Sequence, residues 1–504
     1  MDTTVQTRQG AIRGAIIDSA HVFKGVPFAA PPVGPHRFRP PQPAAAWSGV
    51  RDTLTFGAKP LQMEPPPEIA AMVPDPSIVG DDCLVLNIWT RTLGDARMPV
   101  MVWIPGGMFE VGSGASYDGS RFARDGVVCV TINYRVGANG FLFLGEGDAN
   151  FGLLDQVAAL TWVRDNIAAF GGDSDNVTVF GESAGAMSIG ALLAMPAARG
   201  LFRRAILQSG GPLTVMSTAT GKKMARALAE KLSVAPTREA IAGVPPERFL
   251  TAQTGLKNEI VAHPDPERWG AEVVASLMPF HTVIDGAIVP SAPIDRIATG
   301  ASANVDVIAG SNVDEWRLFV VTNGLMGVSD EDITGPVAKH GFKCLAAYGL
   351  ESAKALGAYR EKSPRLSAFE VLAAVQTDWW CRMPAIRLAE ARARGPASTY
   401  MYEFAWPSPM GGGLMGACHA LEIPFVFDTL DKGANQMVGP MLGDAPPQAL
   451  ADAMHKAWVA FATTGSPGWP TYDASRRATM RFDTTSRMVE DPRSWERQLW
   501  EGVR

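Results

Sequence analysis

Short apolar runs bounded by turn residues mark the chain from its first quarter onward: residues 84–89, 99–104 and 126–132 are nearly continuous stretches of Leu, Val, Ile, Met and Trp. Runs of this length without polar alternation predict strands buried on both faces of a sheet. Residues 152–169 instead carry apolar side chains at helical spacing (Leu153, Leu154, Val157, Leu160, Trp162, Val163, Ile167). Further strands are predicted at 204–209, 306–310 and 400–404, with amphipathic helical stretches over 220–277 and 330–400. A last helix is read at 447–464, stopped by Gly465. Strands alternating with helices imply an α/β fold around a large mixed, mostly parallel sheet. At the N-terminus, residues 4–24 alternate around glycines and predict a small antiparallel ribbon. The Pro-rich stretch 23–43 reads as packed loop, because proline at that density opposes helix and central strand. Residues 60–80, with prolines at 65, 66 and 67, read as a surface excursion overhanging a site.

One segment departs from plain strand–helix alternation. Gly181-Glu182-Ser183-Ala184-Gly185 follows the β-rich run 177–180 and precedes an apolar helical stretch at 187–194. A serine between such elements sits on a sharp turn, where small neighbours let strand and helix approach closely. Its hydroxyl then stands clear of the sheet edge, at the positive end of the following helix. Any G-x-S-x-G in a chain with 51 glycines has a mundane reading; the strand–turn–helix context argues for a nucleophile.

Composition narrows the class. Apolar residues make up 47% and charged residues 19% of 504, enough for an extensive core. A formal charge of −6 gives no basic excess for nucleic acid or an anionic membrane. The five cysteines show neither a C-x-x-C pair nor zinc-ligand spacing, and the first residues lack a leader-like apolar segment. No apolar run approaches a membrane-spanning length. These features predict a cytoplasmic protein with reduced thiols; oligomeric state is not legible.

A serine hydroxyl needs a base within hydrogen-bond reach and an acid to orient that base. Where G-x-S-x-G forms an elbow, the chain order is Ser, then Asp or Glu, then His. His263, His281, His340, His419 and His455 follow the serine, and His419 stands out because it closes a glycine-rich loop at 411–418. Asp314 and Glu315, just beyond the strand 306–310, are both candidates for the acid, and spacing does not choose between them. Backbone N–H groups for the transition-state oxyanion are expected from Ala184 and from the turn Pro105-Gly106-Gly107-Met108 after strand 99–104.

Taken together, these pieces resemble a type-B carboxylesterase, the family that includes cholinesterases and bacterial p-nitrobenzyl esterases. Matching segments run through most of the chain: Phe23-Lys24-Gly25-Val26-Pro27-Phe28-Ala29, Asp81-Asp82-Cys83-Leu84, Asn133-Tyr134-Arg135, Phe170-Gly171-Gly172-Asp173, the serine motif and Leu207-Gln208-Ser209-Gly210. The resemblance implies an α/β-hydrolase fold as a single domain over 1–504, with helical insertions at about 220–277 and 330–400 forming a gorge or lid. It implies Ser183 as nucleophile, His419 as base, Glu315 as acid, Gly107, Met108 and Ala184 as oxyanion donors, and Glu182 and Ser209 as supporting polar groups. The chain departs from the family pattern in three places: Pro105-Gly106-Gly107-Met108 stands for His-Gly-Gly-Gly, Trp316 replaces a glycine, and Pro60 stands where Cys83 would find a disulfide partner. The expected activity is hydrolysis of bulky aryl or alkyl esters, with a small-molecule ester as the partner, no metal or organic cofactor needed, and Trp316, Trp379, Trp380 and Met415 as candidate pocket residues. An amidase, carbamate hydrolase or acyltransferase could share the machinery, and a non-catalytic binding module could share the scaffold.

Overall fold

Alternation within the apolar runs divides the core into two layers. The computed structural model describes residues 3–64, 70–433 and 435–504, so the prolines at 65–67 lie outside the described residues. A small sheet joins β1 (Thr4–Gln6), β2 (Ala11–Arg13) and β5 (Val50–Asp52). The main sheet has eleven strands: β3 (Ala15–Ile17), β4 (Ala20–Pro27), β6 (Val85–Thr90), β7 (Met98–Ile104), β8 (Val128–Ile132), β9 (Gly172–Glu182), β10 (Arg204–Gln208), β11 (Asp306–Asn312), β12 (Thr399–Phe404), β13 (Ala478–Phe482) and β14 (Arg487–Glu490). Their spatial order is 14-13-12-11-10-9-7-8-6-4-3. From β8 across to β13 neighbouring strands are parallel, and antiparallel pairs close both ends.

Successive residues of each inner strand point to opposite faces. Val100, Val102 and Ile104 join one apolar layer, beneath the helices Phe151–Asn166 and Ala184–Leu192; Met101 and Trp103 join the other, beneath the helix Gln448–Thr464. This double burial is why those runs read as unbroken apolar sequence. None of the described helices is long and apolar enough to cross a membrane. All five cysteines are buried free thiols, Cys83 among them.

Two expectations need correction. Residues 20–27 form strand β4 rather than the start of a loop: Gly25 adopts φ +67° at a bulge, and Pro27 lies at the strand's end opposite Val85. Proline is compatible with a strand end, where no ladder donor is lost. The helix Gln448–Thr464 does end at Gly465 in the left-handed conformation, but β13, β14 and a helix Ser494–Leu499 follow it. All three are short, and β14 carries two charges in its four residues.

The fold also buries an ionisable group away from the sheet edge. His281 is 1% exposed, its Nδ1 is 2.9 Å from the Met278 carbonyl, and burial pushes its pKa down to about 4. With the folded value below the unfolded one, the unfolded chain takes up the proton first as pH falls. Stability is therefore held above pH ~6.5 and lost as pH drops toward about 4, by on the order of 3 kcal/mol from this residue. Denaturant melts between pH 7 and pH 4.5 should show this slope, and His281→Asn should flatten it.

Candidate active site

The serine motif folds as a turn with no room to spare. Strand β9 ends at Glu182, Ser183 takes φ +56° and ψ −123°, and the helix Ala184–Leu192 begins at once. A Cβ on Gly185 would lie 2.0 Å from the Ile104 carbonyl oxygen, and one on Gly181 would lie 2.7 Å from the same atom. Both glycines are thus required by the approach of β7. The Ser183 N–H donates to the Gln208 carbonyl (2.9 Å), which ties the strained turn to the end of β10.

Parallel register lines up the neighbouring strand ends. Glu182 pairs with Gln208, and Gln208 with Gly310, so the segments leaving β9, β10 and β11 emerge side by side. Beyond β11, Glu315 is wholly buried; its Oε1 accepts the Asn312 N–H (2.6 Å) and its Oε2 accepts from His419 Nδ1 (2.6 Å). Of the two adjacent carboxylates, Glu315 therefore faces the imidazole. The Asp314 carboxylate faces Ala417 N–H and Arg317.

The other ring nitrogen has an acidic neighbour too. His419 Nε2 lies 3.0 Å from Glu182 Oε1, and the Ser183 hydroxyl enters none of the hydrogen bonds among the described residues. Burial alone would lower the histidine's pKa. Glu182 and Glu315 on its two sides outweigh that and hold it well above the ordinary histidine value. Burial raises the Glu182 carboxyl, an effect the imidazole partly offsets. The imidazole thus lies between two carboxylates and shares a cavity wall with Ser183.

A third buried carboxyl completes this cluster. Glu422 accepts from Gln208 Nε2 (3.0 Å) and Asn312 Nδ2 (2.7 Å), and its pKa is pushed up to about 8 by burial and the charges of Glu182 and Glu315. Trp458 Nε1 in turn donates to Gln208 Oε1 (3.0 Å). Cys381, on the π-turn Asp378–Arg382, brings its sulfur within 4.8 Å of a Glu315 carboxylate oxygen and a His419 ring nitrogen. Sequence reading missed both residues. Glu422, a lone acid heading the apolar run 423–427, left a faint signal; Cys381 left none. The Ser209 hydroxyl is buried and lacks a hydrogen-bond partner among the described residues.

Ser183 and His419 open into one cavity of about 510 Å³. Gly106, Gly107 and Met108 line it, and a Cβ on Gly106 would be 3.1 Å from Ser183 Cβ, so this loop lies directly against the serine. Gly107 has φ +115° and Met108 φ +56°, a left-handed conformation uncommon for a side-chain-bearing residue. The N–H groups of Gly107, Met108 and Ala184 enter none of the hydrogen bonds among the described residues, which leaves them available to an anion. The rest of the wall is mainly apolar: Met63, Met72, Leu318, Phe319, Met437 and Met441.

The expected pocket aromatics lie elsewhere. Trp316, Trp379, Trp380 and Met415 are buried in the core and absent from the cavity wall. Trp316 packs on Trp380 (ring centroids 5.2 Å apart) and on Phe319 (4.8 Å), and Phe319 stands 5.2 Å from the His419 ring. Trp316 thus supports the wall from behind.

Known proteins match this chain over nearly its whole length. The carboxylesterase family model matches residues 1–500. A para-nitrobenzyl esterase of Bacillus subtilis (strain 168) is 36% identical over 508 residues, covering 98% of this chain and 97% of the relative. A phenmedipham hydrolase of Pseudarthrobacter oxydans is 36% identical over 494 residues, with 94% of each chain covered. Among solved structures, a Geobacillus stearothermophilus carboxylesterase at pH 6.2 aligns with TM-score 0.83 and 36% identity over 99% of this chain and all of its own. A PNB esterase structure aligns with TM-score 0.84 and 34% identity, covering 99% of each chain.

Proposed function

This chain belongs to the carboxylesterase family and is a serine esterase acting on small carboxylic esters, and from that premise we propose that Ser183, His419 and Glu315 carry the reaction as nucleophile, base and acid. The observation that carries this reading is the buried 2.6 Å contact of His419 Nδ1 with Glu315 on the wall of the cavity that holds Ser183. The imidazole leaves Glu182 and accepts the Ser183 proton as Oγ attacks the ester carbonyl. Gly107, Met108 and Ala184 receive the oxyanion on their N–H groups. The imidazolium then protonates the departing alcohol, and water repeats the sequence to release the acid. Glu315 fixes the tautomer throughout. Glu182 and Ser209 act as supporting groups, Glu182 through the charge it presents to Nε2. The whole chain works as one domain, and its five free thiols fit a reducing cytoplasm.

The bulky, apolar character of the substrate rests on the methionine-rich wall, whose flexible side chains adapt to varied shapes. Met108 narrows the cavity beside the oxyanion loop. A p-nitrophenyl ester chain-length series, extended to p-nitrobenzyl esters and phenmedipham, tests this reading. Long-alkyl and aryl esters should exceed acetate in kcat/KM; a sharp preference for acetate contradicts it. Amide analogues and added alcohol acceptors separate hydrolysis of esters from amidase or transferase chemistry.

The two flanking carboxylates also give a pH prediction. The base works only when unprotonated, and Glu182 favours its protonated form. Glu182→Gln should therefore move the acid limb of the kcat/KM profile to lower pH. An unmoved limb contradicts the role given to Glu182.

A further inference from the structure

The carboxylate next to Glu315, which does not face the imidazole, has a distinct task. We propose that Asp314 is a positioning residue that latches the His419 loop onto the Glu315 loop; this rests on the reading of His419 as the base.

The loop carrying the imidazole is costly to order. Gly411, Gly412, Gly413 and Gly416 all have positive φ (+62°, +69°, +89° and +57°), and glycine loses more backbone freedom on folding than any other residue. Such a segment holds an imidazole in register only if it is pinned close to the ring. The pin comes from across the cleft, where the Asp314 N–H donates to the Ala417 carbonyl (2.9 Å) and the Ala417 N–H donates back to Asp314 Oδ2 (3.1 Å). Two residues further on, the His419 N–H donates to the Glu315 carbonyl (3.1 Å). The two loops thus pair in strand-like fashion, but with one rung supplied by a carboxylate side chain.

Two neighbours adapt to that carboxylate. A Cβ on Gly416 would fall 2.4 Å from Asp314 Oδ2, so the acid occupies the space that only glycine leaves free. Arg317 holds the other oxygen through Nε at 3.1 Å and also reaches the Leu414 carbonyl. Asp314 therefore grips residue 417 directly and orients an arginine toward residue 414, on the stretch leading to His419. Its replacement leaves Glu315 and His419 chemically intact but loosens the path between them. A displacement of about 1 Å at a reacting group costs up to roughly 10²-fold in rate.

The test compares Asp314→Ala with Asp314→Asn, in the full chain, alongside His419→Ala. Asparagine keeps an oxygen for the Ala417 N–H, and alanine does not. Asp314→Ala should lower kcat by about 10–100-fold with KM changed less than about twofold, and Asp314→Asn should recover most of kcat. The far-downfield proton NMR signal of His419 Nδ1–H should broaden or move in the alanine variant and return in the asparagine variant. The proposal is overturned if Asp314→Ala keeps kcat within twofold and leaves that signal in place. It is equally overturned if both variants lose rate together with melting temperature, which marks a general structural role. Undiminished turnover in His419→Ala instead defeats the underlying reading of the base, so the two failures are distinguishable.

Discussion

Ser183→Ala and His419→Ala are each expected to lower kcat by roughly 10³–10⁶-fold while the melting temperature changes little. The size follows from the reaction rather than from packing. Without Oγ no acyl-enzyme forms, and what survives is the contribution of substrate binding and of oriented N–H groups to attack by water. Without the imidazole, the serine must lose its proton unaided at neutral pH, where a hydroxyl is almost wholly protonated. The two losses should not add in the double variant, because both remove the same step. Steady-state kinetics on a p-nitrophenyl ester, with thermal melts on the same preparations, checks this. Additive losses would mean that the two side chains act independently.

The second large effect concerns a residue with no side chain. Gly185→Ala places a methyl group 2.0 Å from the Ile104 carbonyl oxygen and 3.1 Å from that of Pro105. Both obstacles are backbone, one at the end of an inner strand and the other at the root of the oxyanion loop, so neither can rotate away. Overpacking of a core commonly costs about 1–3 kcal/mol, and a contact this short against backbone belongs at or beyond the upper end. Any folded fraction must push Pro105-Gly106-Gly107 away from Ser183. Loss of one oxyanion donor alone costs roughly 10²–10³-fold in kcat. The variant should therefore show both a lowered denaturation midpoint and, in its folded fraction, a kcat reduced by at least about 10²-fold. A well-folded, fully active Gly185→Ala protein would contradict the packing described for this turn.

These features differ in how far they could be read from the residue order. The serine turn was legible because its geometry is local: strand, two glycines and helix are adjacent in sequence, and the steric demand of β7 acts on glycine itself. The inner strands were legible for a related reason, since burial on both faces writes an unbroken apolar run such as residues 99–104. Strand β4 was misread because proline counts against a strand in general, whereas Pro27 occupies an end position. The arginine-bearing strands near the C-terminus were missed because β14 is an edge strand whose four residues are exposed or half-buried.

The site was harder. Asp314 and Glu315 are neighbours of the same charge, and only the folding of the His419 loop gives them different partners; family resemblance, rather than spacing, favoured Glu315. Aromatic content misdirected the pocket, because Trp316, Trp379 and Trp380 look alike in sequence whether they face a cavity or a core. The actual wall is gathered from residues 63–64, 72–73, 108, 318–319, 437–438 and 441, segments brought together only by the tertiary fold. The contact of His419 Nε2 with Glu182 had no sequence signature beyond the acid's place beside the serine.

In the proposed chemistry one serine, at the end of β9, is the nucleophile, and the imidazole at 419 activates it. The most direct measurement is covalent trapping with a fluorophosphonate, followed by intact-mass and peptide mass spectrometry. A single adduct per chain is expected, located on Ser183, forming in step with loss of esterase activity and slowed severely in His419→Ala. An adduct on another residue, or inactivation with Ser183 unmodified, would contradict it.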